Sequence, residues 1–288
     1  MPWRSESGRG RSKAEPVVIM RNPCQISTWN VRTLLSPGKL EEVIEEMNRI
    51  EIDILGLCEV RWEGSGYYWK ENNRIIYTGR EKQGTNGTAI ILNKKWGKLV
   101  ENTIHYSDRI TAVKIKADST NLIIIQVYMP TSSYPDEEIE DMYNRIDEII
   151  DTVNKNDNLI VMGDFKAVVG EEAVGNIVGK FGHGVKNYRG ERLIQFCKEN
   201  DMFIGNTFFK QPKRRLYTWK MPGDIGRYQI DFIIVKNSKR NQIISCKTLP
   251  GADVNTDHNL LTSTHNFLVK KNKEEKIDLS KLISLNLR

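Results

Sequence analysis

RITAVKIKADSTNLIIIQVYM, residues 109–129, is the stretch that decides the fold class. It contains two apolar runs rich in Ile, Val and Thr, the composition of buried or half-buried strands, separated by the polar break KADST. Strands joined by so short a break pair antiparallel, because a parallel connection needs a crossover of about a dozen residues. Similar turn-like breaks separate the strand-like runs throughout residues 74–128. A doubly wound parallel sheet is therefore the weaker of two α/β alternatives.

Further strand-like segments lie on both sides of this stretch, and three amphipathic segments interrupt them. The strand-like segments cover residues 24–31, 52–60, 74–78, 88–92, 158–164, 202–206, 216–220, 228–235 and 243–249. The helical segments cover residues 38–50, 136–154 and 189–200, and the first two place their apolar residues on one face. Because such helices must cover sheet faces, the sequence predicts a four-layer α/β sandwich, with two packed mixed β-sheets flanked by helices.

The net charge of +6 is divided unevenly along the chain. Residues 1–22 contain five Lys or Arg and two Glu, and residues 270–288 contain six Lys or Arg and three acidic residues, so each end carries +3. The charge of residues 23–269 is therefore close to zero. We predict a basic disordered tail over 1–22, one folded domain over 23–269, and a basic C-terminal tail or fragment edge over 270–288. Such tails either bind phosphate backbones or are simply solvated.

Several classes of protein are disfavoured by composition. No apolar run approaches the ~18 to 20 residues that span a bilayer, so we expect no membrane partner. The N-terminal residues contain no apolar segment of the kind found in secretory signals. The four cysteines are widely spaced and form no CxxC pair, which predicts buried thiols in a reducing compartment and no zinc site.

Polar and acidic residues recur at the ends of the apolar runs, where α/β scaffolds usually assemble their sites. These residues are Asn30, Glu59, Tyr128, Asp164, Asp231, Asp257 and His258. Taken singly, an Asn or Asp at a strand end is more often a turn or cap former. Asp231 differs because it lies between Ile230 and Phe232, and a carboxylate inside an apolar strand needs a partner that offsets its desolvation.

Together these residues specify a chemistry. Carboxylates combined with an amide can hold a hard divalent cation, which prefers oxygen ligands. A further carboxylate can take a proton from water, and a His paired with a carboxylate can contact a phosphoryl oxygen where charge develops. This set of groups fits metal-assisted hydrolysis of a phosphodiester.

The order of the short motifs resembles the endonuclease/exonuclease/phosphatase superfamily over residues 24–267. The motifs are TWNVRTLL, GLCEVRW, GTAIIL, VYMPT, GDFKAVVG, YTW, QIDFIIV and TDH. Within the superfamily, WNVRTL, CEVRW and RGERLIQFCKENDMFIGNTFF are similar to the apurinic-endonuclease-like domain of RTE/BovB-type non-LTR retrotransposons. The resemblance implies a DNase I-like fold, which is a four-layer sandwich of the predicted kind.

The resemblance also implies a metal site. Glu59 would be the main metal ligand, with Asn30 beside it and Asp257 as a further ligand. The cation would most simply be Mg²⁺, with Mn²⁺ as the alternative.

The resemblance assigns roles in catalysis to other residues of the set. Asp164 would orient or deprotonate the attacking water. Asp231 would hydrogen-bond His258 and favour its charged form, so that the imidazole donates to the scissile phosphate. Tyr128 would lie near the phosphate or the leaving oxygen.

One position departs from the family pattern. The family motif reads G-D-F-N, and this chain has Lys166 where the Asn stands. An amide offers both a donor and an acceptor, whereas an ammonium offers only donors and a full charge. Lys166 therefore belongs with the catalytic residues, as a group that grips a phosphate or one that pairs with Asp164 and lowers its basicity. The alternative is that Lys166 points to solvent and has no effect on the site.

Three functions remain open at this point. The first is a Mg²⁺-dependent endonuclease that hydrolyses DNA. The second is a catalytically inactive nucleic-acid-binding or interaction module, and the third is a phosphatase acting on small phosphates. The run KQPKRRLYTWK fits either contacts with a DNA backbone or a solvated hairpin. The resemblance implies the nucleus, with the cytoplasm as the alternative, and the sequence does not define an oligomeric state.

Overall fold

The computed structural model describes residues 23–82, 84–116 and 120–267. The strands are β1 (Cys24–Asn30), β2 (Ile54–Cys58), β3 (Ser65–Lys70), β4 (Asn73–Thr78), β5 (Thr88–Asn93), β6 (Val100–Ser107), β7 (Ile110–Ile115), β8 (Leu122–Tyr128), β9 (Asn158–Asp164), β10 (Met202–Ile204), β11 (Trp219–Lys220), β12 (Arg227–Tyr228), β13 (Asp231–Lys236), β14 (Ile243–Leu249) and β15 (Leu260–His265). The helices are α1 (Lys39–Arg49), α2 (Lys94–Gly97), α3 (Asp136–Asp151) and α4 (Tyr188–Glu199). The predicted tails over 1–22 and 270–288 lie outside the described residues.

These strands form two large mixed sheets and a small ribbon. One sheet has the order β14-β15-β1-β2-β5-β4-β3, the other has the order β10-β13-β9-β8-β7-β6, and β11 pairs with β12. Each large sheet contains one parallel pair, β1 with β2 and β8 with β9, beside antiparallel neighbours. Strands β7 and β8 pair antiparallel, as the opening stretch predicts. The predicted four-layer sandwich is confirmed.

Apolar side chains fill the three spaces between the four layers. The two sheets face each other across a core that includes Ile54, Ile124 and Phe203. Helix α1 packs on the outer face of the first sheet through residues such as Met47, and α3 and α4 cover the second sheet through residues such as Phe196. This arrangement follows from the apolar stripe of each helix, which must be buried against a sheet face.

The sequence patterns did not predict three of the strands, and they predicted one strand that is too long. Strands β3 and β6 are edge strands with many exposed or half-buried residues, so they lack the apolar pattern that marks a buried strand. Strand β15 is buried but contains Thr and Ser at its centre. The segment predicted as a strand over 216–220 is a strand only at Trp219–Lys220, because its partner β12 supplies only Arg227 and Tyr228 for pairing.

Two expectations from composition can be compared with the structure. The four cysteines are free and buried, and burial raises the pKa of each thiol, which makes a thiolate unfavourable. Among the described residues, no helix is both long and apolar enough to cross a membrane.

A buried histidine at the end of β15 gives the folded state a dependence on pH. His265 is fully buried, stacks on Phe267 at 5.1 Å between ring centroids, and places Nε2 2.8 Å from the hydroxyl of Ser263. Burial lowers the pKa of His265 from 6.5 to about 3. The unfolded chain therefore takes up a proton that the folded chain refuses, and the stabilisation present above pH 6.5 is lost progressively as the pH falls towards 3.

We expect the free energy of unfolding to fall by about 1.4 kcal/mol for each pH unit below the unfolded pKa through this group alone. The measurement is urea unfolding of the wild type and of His265→Leu between neutral pH and about pH 5, above the range in which most carboxylates titrate. The variant should show a shallower decline. Equal slopes for the two proteins would contradict the assignment.

Candidate active site

The polar strand ends converge because of the sheet topology. In each sheet, the two parallel strands end at the same edge. Asn30 at the end of β1 therefore pairs with Cys58, the residue before Glu59, and Tyr128 at the end of β8 pairs with Asp164. Strand β13 pairs antiparallel with β9 and places Asp231 directly opposite Asp164. Residues that are far apart in the sequence therefore meet at one end of the sandwich.

Backbone turns of unusual geometry follow these strand ends. Arg32, Glu59 and Lys166 have φ values of 60°, 58° and 52°, in the left-handed region that non-glycine residues rarely adopt. Each such residue costs about 1 to 2 kcal/mol and is held by its surroundings. Before Asp164 the chain passes so close to β8 that a Cβ on Gly163 would lie 1.8 Å from the carbonyl oxygen of Val127. The local backbone is thus shaped around the site.

Glu59 is the centre of one group of contacts. Its Oε1 accepts hydrogen bonds from the Asn30 side-chain amide at 2.8 Å and from the Tyr128 hydroxyl at 3.0 Å. Its Oε2 accepts one from Arg61 at 3.0 Å. Burial is the largest cause of the raised pKa of Tyr128, and the negative charge of Glu59 is the next. The phenol therefore keeps its proton and acts as a donor. The Asn30 Oδ1 accepts the backbone amide of Arg32 at 2.9 Å, which fixes the orientation of the amide.

Asp164 is fully buried, and donors surround both of its oxygens. Oδ1 accepts the backbone amide of Lys166 at 3.2 Å, and Oδ2 accepts the Asn30 amide at 2.9 Å. The ammonium of Lys166 lies 2.5 Å from the same Oδ2. Burial alone would raise the pKa of Asp164, but the charges of Lys166 and His258 outweigh burial and hold the pKa below its ordinary value. The carboxylate is therefore a weakened base.

Lys166 points into the site, and its side chain is only 18% exposed. The alternative in which it points to solvent is excluded. Its ammonium also lies over the Tyr128 ring, 5.4 Å from the centroid. Burial opposes its charge, but the carboxylate of Asp164 raises the pKa of Lys166, so the side chain is a permanent cation at neutral pH.

Asp231 and His258 form a buried pair beside Asp164. His258 Nδ1 lies 2.9 Å from Asp231 Oδ2, and its Nε2 lies 3.8 Å from Asp164 Oδ2. Burial opposes the charged imidazole, but the Asp231 carboxylate outweighs it and raises the pKa of His258. The indole of Trp29 donates to the His258 carbonyl at 2.9 Å and holds the backbone of this residue. Nε2 therefore faces the same space as Asp164, with Asp231 behind the ring.

The side chains of the three predicted metal ligands do not all contact one another. Asn30 and Glu59 are in contact. The carboxylate of Asp257 has other partners: its Oδ2 accepts the Trp219 indole at 3.1 Å, and its Oδ1 lies 3.8 Å from Arg32 Nε. Asp257 Oδ1 is buried and has no hydrogen bond within the described part of the chain. A cation bound at this oxygen would replace its ion pair with Arg32. Geometry alone also gathers Asp164, Asp231 and His258 within 4.8 Å, although that cluster already contains the Lys166 ammonium.

Two structural supports were missed by the sequence patterns. Arg109 is 7% exposed, lies between the rings of Tyr128 and Tyr134 at 5.1 and 5.2 Å, and donates to the Tyr128 carbonyl at 3.3 Å. Lys39 is also buried and donates at 2.8 Å to the carbonyls of Val31 and Asn255, which ties two site loops together. In the sequence, both resemble ordinary surface cations next to an apolar run.

The sequence profile of the Endonuclease/Exonuclease/phosphatase family matches residues 27–263, a range that includes all these site residues. The chain belongs to this family. Craniofacial development protein 2 of Bos taurus is 40% identical over 245 residues, which are 85% of this chain and 41% of that protein. The chain thus spans about two fifths of the length of the curated relatives it matches.

Solved structures show the same fold at low sequence identity. The endonuclease domain of TRAS1, a telomere-specific non-LTR retrotransposon, is 17% identical and covers 86% of this chain and 100% of its own, with a TM-score of 0.63. A 3′ phosphatase from Neisseria, bound to a product DNA hairpin, is 16% identical and covers 85% of this chain and 100% of its own, also with a TM-score of 0.63. The family and the DNase I-like fold implied by the sequence motifs are therefore confirmed.

Proposed function

We propose that this chain binds DNA and hydrolyses its phosphodiester bonds with a divalent cation, at a rate restrained by Lys166. The observation that carries the proposal is the buried Asp164 carboxylate, which lies 3.8 Å from the Nε2 of an Asp231-paired His258. A carboxylate and a charged imidazole that face one space can serve a water and a phosphoryl oxygen, respectively. The nuclease names and the DNA-bound structure among the similar proteins favour DNA over other phosphodiesters.

The oxygen atoms near Glu59 fit a hard divalent cation. Glu59 and Asn30 would hold it, and the buried Oδ1 of Asp257, which lacks a hydrogen bond within the described residues, supplies a further acceptor. A bound Mg²⁺, or Mn²⁺ in its place, would supply Lewis-acid stabilisation of charge on the phosphoryl oxygens. Asn30 donates its amide NH₂ to Glu59, and its Oδ1 accepts the Arg32 amide with one lone pair, which leaves the second lone pair for a cation.

The protein's own groups have distinct roles in the proposed reaction. Asp164 orients the attacking water and accepts its proton. His258 donates from Nε2 to the scissile phosphate because the Asp231 carboxylate favours the charged imidazole, in which both ring nitrogens carry a proton. The Tyr128 hydroxyl, which keeps its proton, donates near the phosphate or leaving oxygen.

Lys166 determines how readily Asp164 can act. Its ammonium lies against Oδ2, and its charge lowers the basicity of the carboxylate. An incoming phosphate is a competing anion for that ammonium. We infer that hydrolysis requires Lys166 to leave Asp164 for the substrate phosphate.

Nicking of supercoiled plasmid tests the proposed function directly. With Mg²⁺ we expect the wild-type chain to convert supercoiled DNA to open circles slowly, and with EDTA we expect no conversion. The Glu59→Gln variant, purified in the same way, serves as the control for contaminating nuclease. Absence of nicking at any Mg²⁺ or Mn²⁺ concentration, together with retained DNA binding, would replace hydrolysis by the second candidate function.

The second candidate is a nucleic-acid-binding module without turnover. The three donors at the Asp164 carboxylate favour it, because they leave fewer lone pairs with which the carboxylate can position a water. A phosphatase acting on small phosphates is the third candidate, and release of phosphate from a small ester without DNA cleavage would identify it. Nuclear localisation remains a prediction that imaging of the tagged chain can test.

A further inference from the structure

A strongly basic segment borders the site. Residues 205–230 contain six Lys or Arg and a single acidic residue, Asp224, for a net charge of +5. Residues 23–269 as a whole are close to neutral, so the rest of the domain carries a balancing negative charge. Positive charge concentrated on one part of a neutral domain is the electrostatic footprint of a polyanion-binding surface.

Hydrogen bonds attach this segment to the site residues. The Asn206 side chain donates to the Asp231 carbonyl at 3.2 Å, and the Lys220 amide donates to the Asp257 carbonyl at 3.0 Å. Between them, the Trp219 indole donates to the Asp257 carboxylate, and its ring lies 6.4 Å from that of His258. A strand of nucleic acid with one phosphate at His258 would therefore have neighbouring phosphates close to the basic segment.

An open cleft of about 470 Å³ lies between this segment and His183. Lys213, Arg214, Arg227 and His183 line it together with the buried Tyr217. Arg227 lies 4.9 Å above the Tyr217 ring. The cleft thus combines several cations with an aromatic wall.

Two of these cations have no carboxylate partner. Arg227 is bound by both oxygens of Asp224, at 2.8 and 2.6 Å, so the one acidic residue of the segment is already neutralised. Lys213 and Arg214 are exposed, and across the described ranges neither forms an ion pair with a carboxylate. Their charges are therefore available to a ligand, and the cleft retains a net positive charge.

We propose that this cleft binds the phosphate backbone of a DNA strand that continues beyond the catalytic site, with Lys213 and Arg214 as the phosphate contacts. This inference rests on the proposed function for the identity of the polymer. Lys213 and Arg214 neutralise phosphates without contacting bases, so the contact adds affinity and does not depend on DNA sequence.

Salt dependence of DNA binding tests the proposal. We measure the affinity of the full chain for a fluorescein-labelled duplex by anisotropy, in EDTA, over a series of salt concentrations. The double variant Lys213→Gln/Arg214→Gln should bind roughly 10- to 60-fold more weakly at about 0.1 M salt, and the slope of log affinity against log salt should decrease by about 2.

A matched control removes the same charge at the other end of the sandwich. Lys94 is the first residue of α2, Lys98 directly follows the helix, and both are exposed. Helix α2 follows β5, whose end pairs with the start of β2, and Glu59 directly follows the opposite end of β2. The variant Lys94→Gln/Lys98→Gln should keep a slope of log affinity against log salt close to that of the wild type, and it should lose less than about twofold in affinity. Circular dichroism confirms that both variants fold.

The possible outcomes distinguish the proposal that the cleft binds DNA from the proposal that the chain hydrolyses DNA. A reduced slope without any nicking by the wild type supports the cleft and overturns the hydrolytic function. Plasmid nicking by the wild type with an unchanged slope in Lys213→Gln/Arg214→Gln overturns the cleft and leaves the hydrolytic function standing. Equal losses in the cleft and α2 variants also overturn the cleft, because they indicate only nonspecific attraction to net charge.

Discussion

The Lys166→Asn variant is expected to nick supercoiled plasmid about 10²- to 10⁴-fold faster than the wild type, the range that a positioned general base contributes. In the wild type, the ammonium lies 2.5 Å from Asp164 Oδ2 and lowers the pKa of that carboxyl. An Asn side chain has no charge, and it offers both a donor and an acceptor with which to position a water. Asn also tolerates the left-handed backbone at this position better than Lys does.

Two further variants separate loss of charge from gain of an amide. Lys166→Met removes the ammonium without adding an acceptor, and Lys166→Arg retains the charge. We expect Lys166→Arg to be as slow as the wild type and Lys166→Met to be intermediate between the wild type and Lys166→Asn. Because removal of one partner of a buried ion pair costs stability, thermal unfolding of each variant is measured first, and rates are compared below the lowest midpoint. Equal nicking by the wild type and Lys166→Asn would show that Lys166 does not restrain the reaction.

The second large effect is expected at Glu59. In Glu59→Gln, one oxygen remains to accept hydrogen bonds from Asn30 and Tyr128, but the negative charge that would hold the cation is lost. A catalytic cation contributes several kcal/mol, so we expect nicking to fall by about 10³-fold or more. The effect is measured in the faster Lys166→Asn background, where a loss of this size can be detected.

Metal binding gives the Glu59 prediction a readout that does not depend on catalysis. Titration calorimetry with Mn²⁺ should show weaker binding by Glu59→Gln than by the wild type. The matched control is Glu63→Gln, since Glu63 follows on the same loop and its side chain is exposed. Unchanged Mn²⁺ affinity in Glu59→Gln would mean that the cation binds elsewhere, and the cluster of Asp164, Asp231 and His258 would then be the next site to test.

Much of the fold followed from local patterns in the chain. Amphipathic periodicity located α1 and α3, and the short break between β7 and β8 predicted their antiparallel pairing. Edge strands β3 and β6 escaped detection, because an edge strand exposed to solvent needs no apolar alternation. The strand predicted over 216–220 was too long, because the length of β11 is set by its two-residue partner β12, which is distant from any local pattern in 216–220.

Part of the candidate site could also be predicted from patterns in the sequence. Polar groups at the ends of apolar runs, together with the ordered motifs, identified Asn30, Glu59, Asp164, Asp231 and His258 as residues of one site. The buried supports were not visible, because a cation such as Arg109 becomes part of the interior only through contacts with residues distant in the sequence.

By itself, the sequence determined the fold class, the family and the chemical types of the site residues, since each depends on residue types in a fixed order along the chain. Only the tertiary structure decided the state of Asp164. The pairing of β13 with β9 places Asp231 opposite Asp164, and packing directs Lys166 onto its carboxylate rather than into solvent. A lysine side chain is long and flexible, so its direction is set by the charges and rings around it and not by its position in a motif.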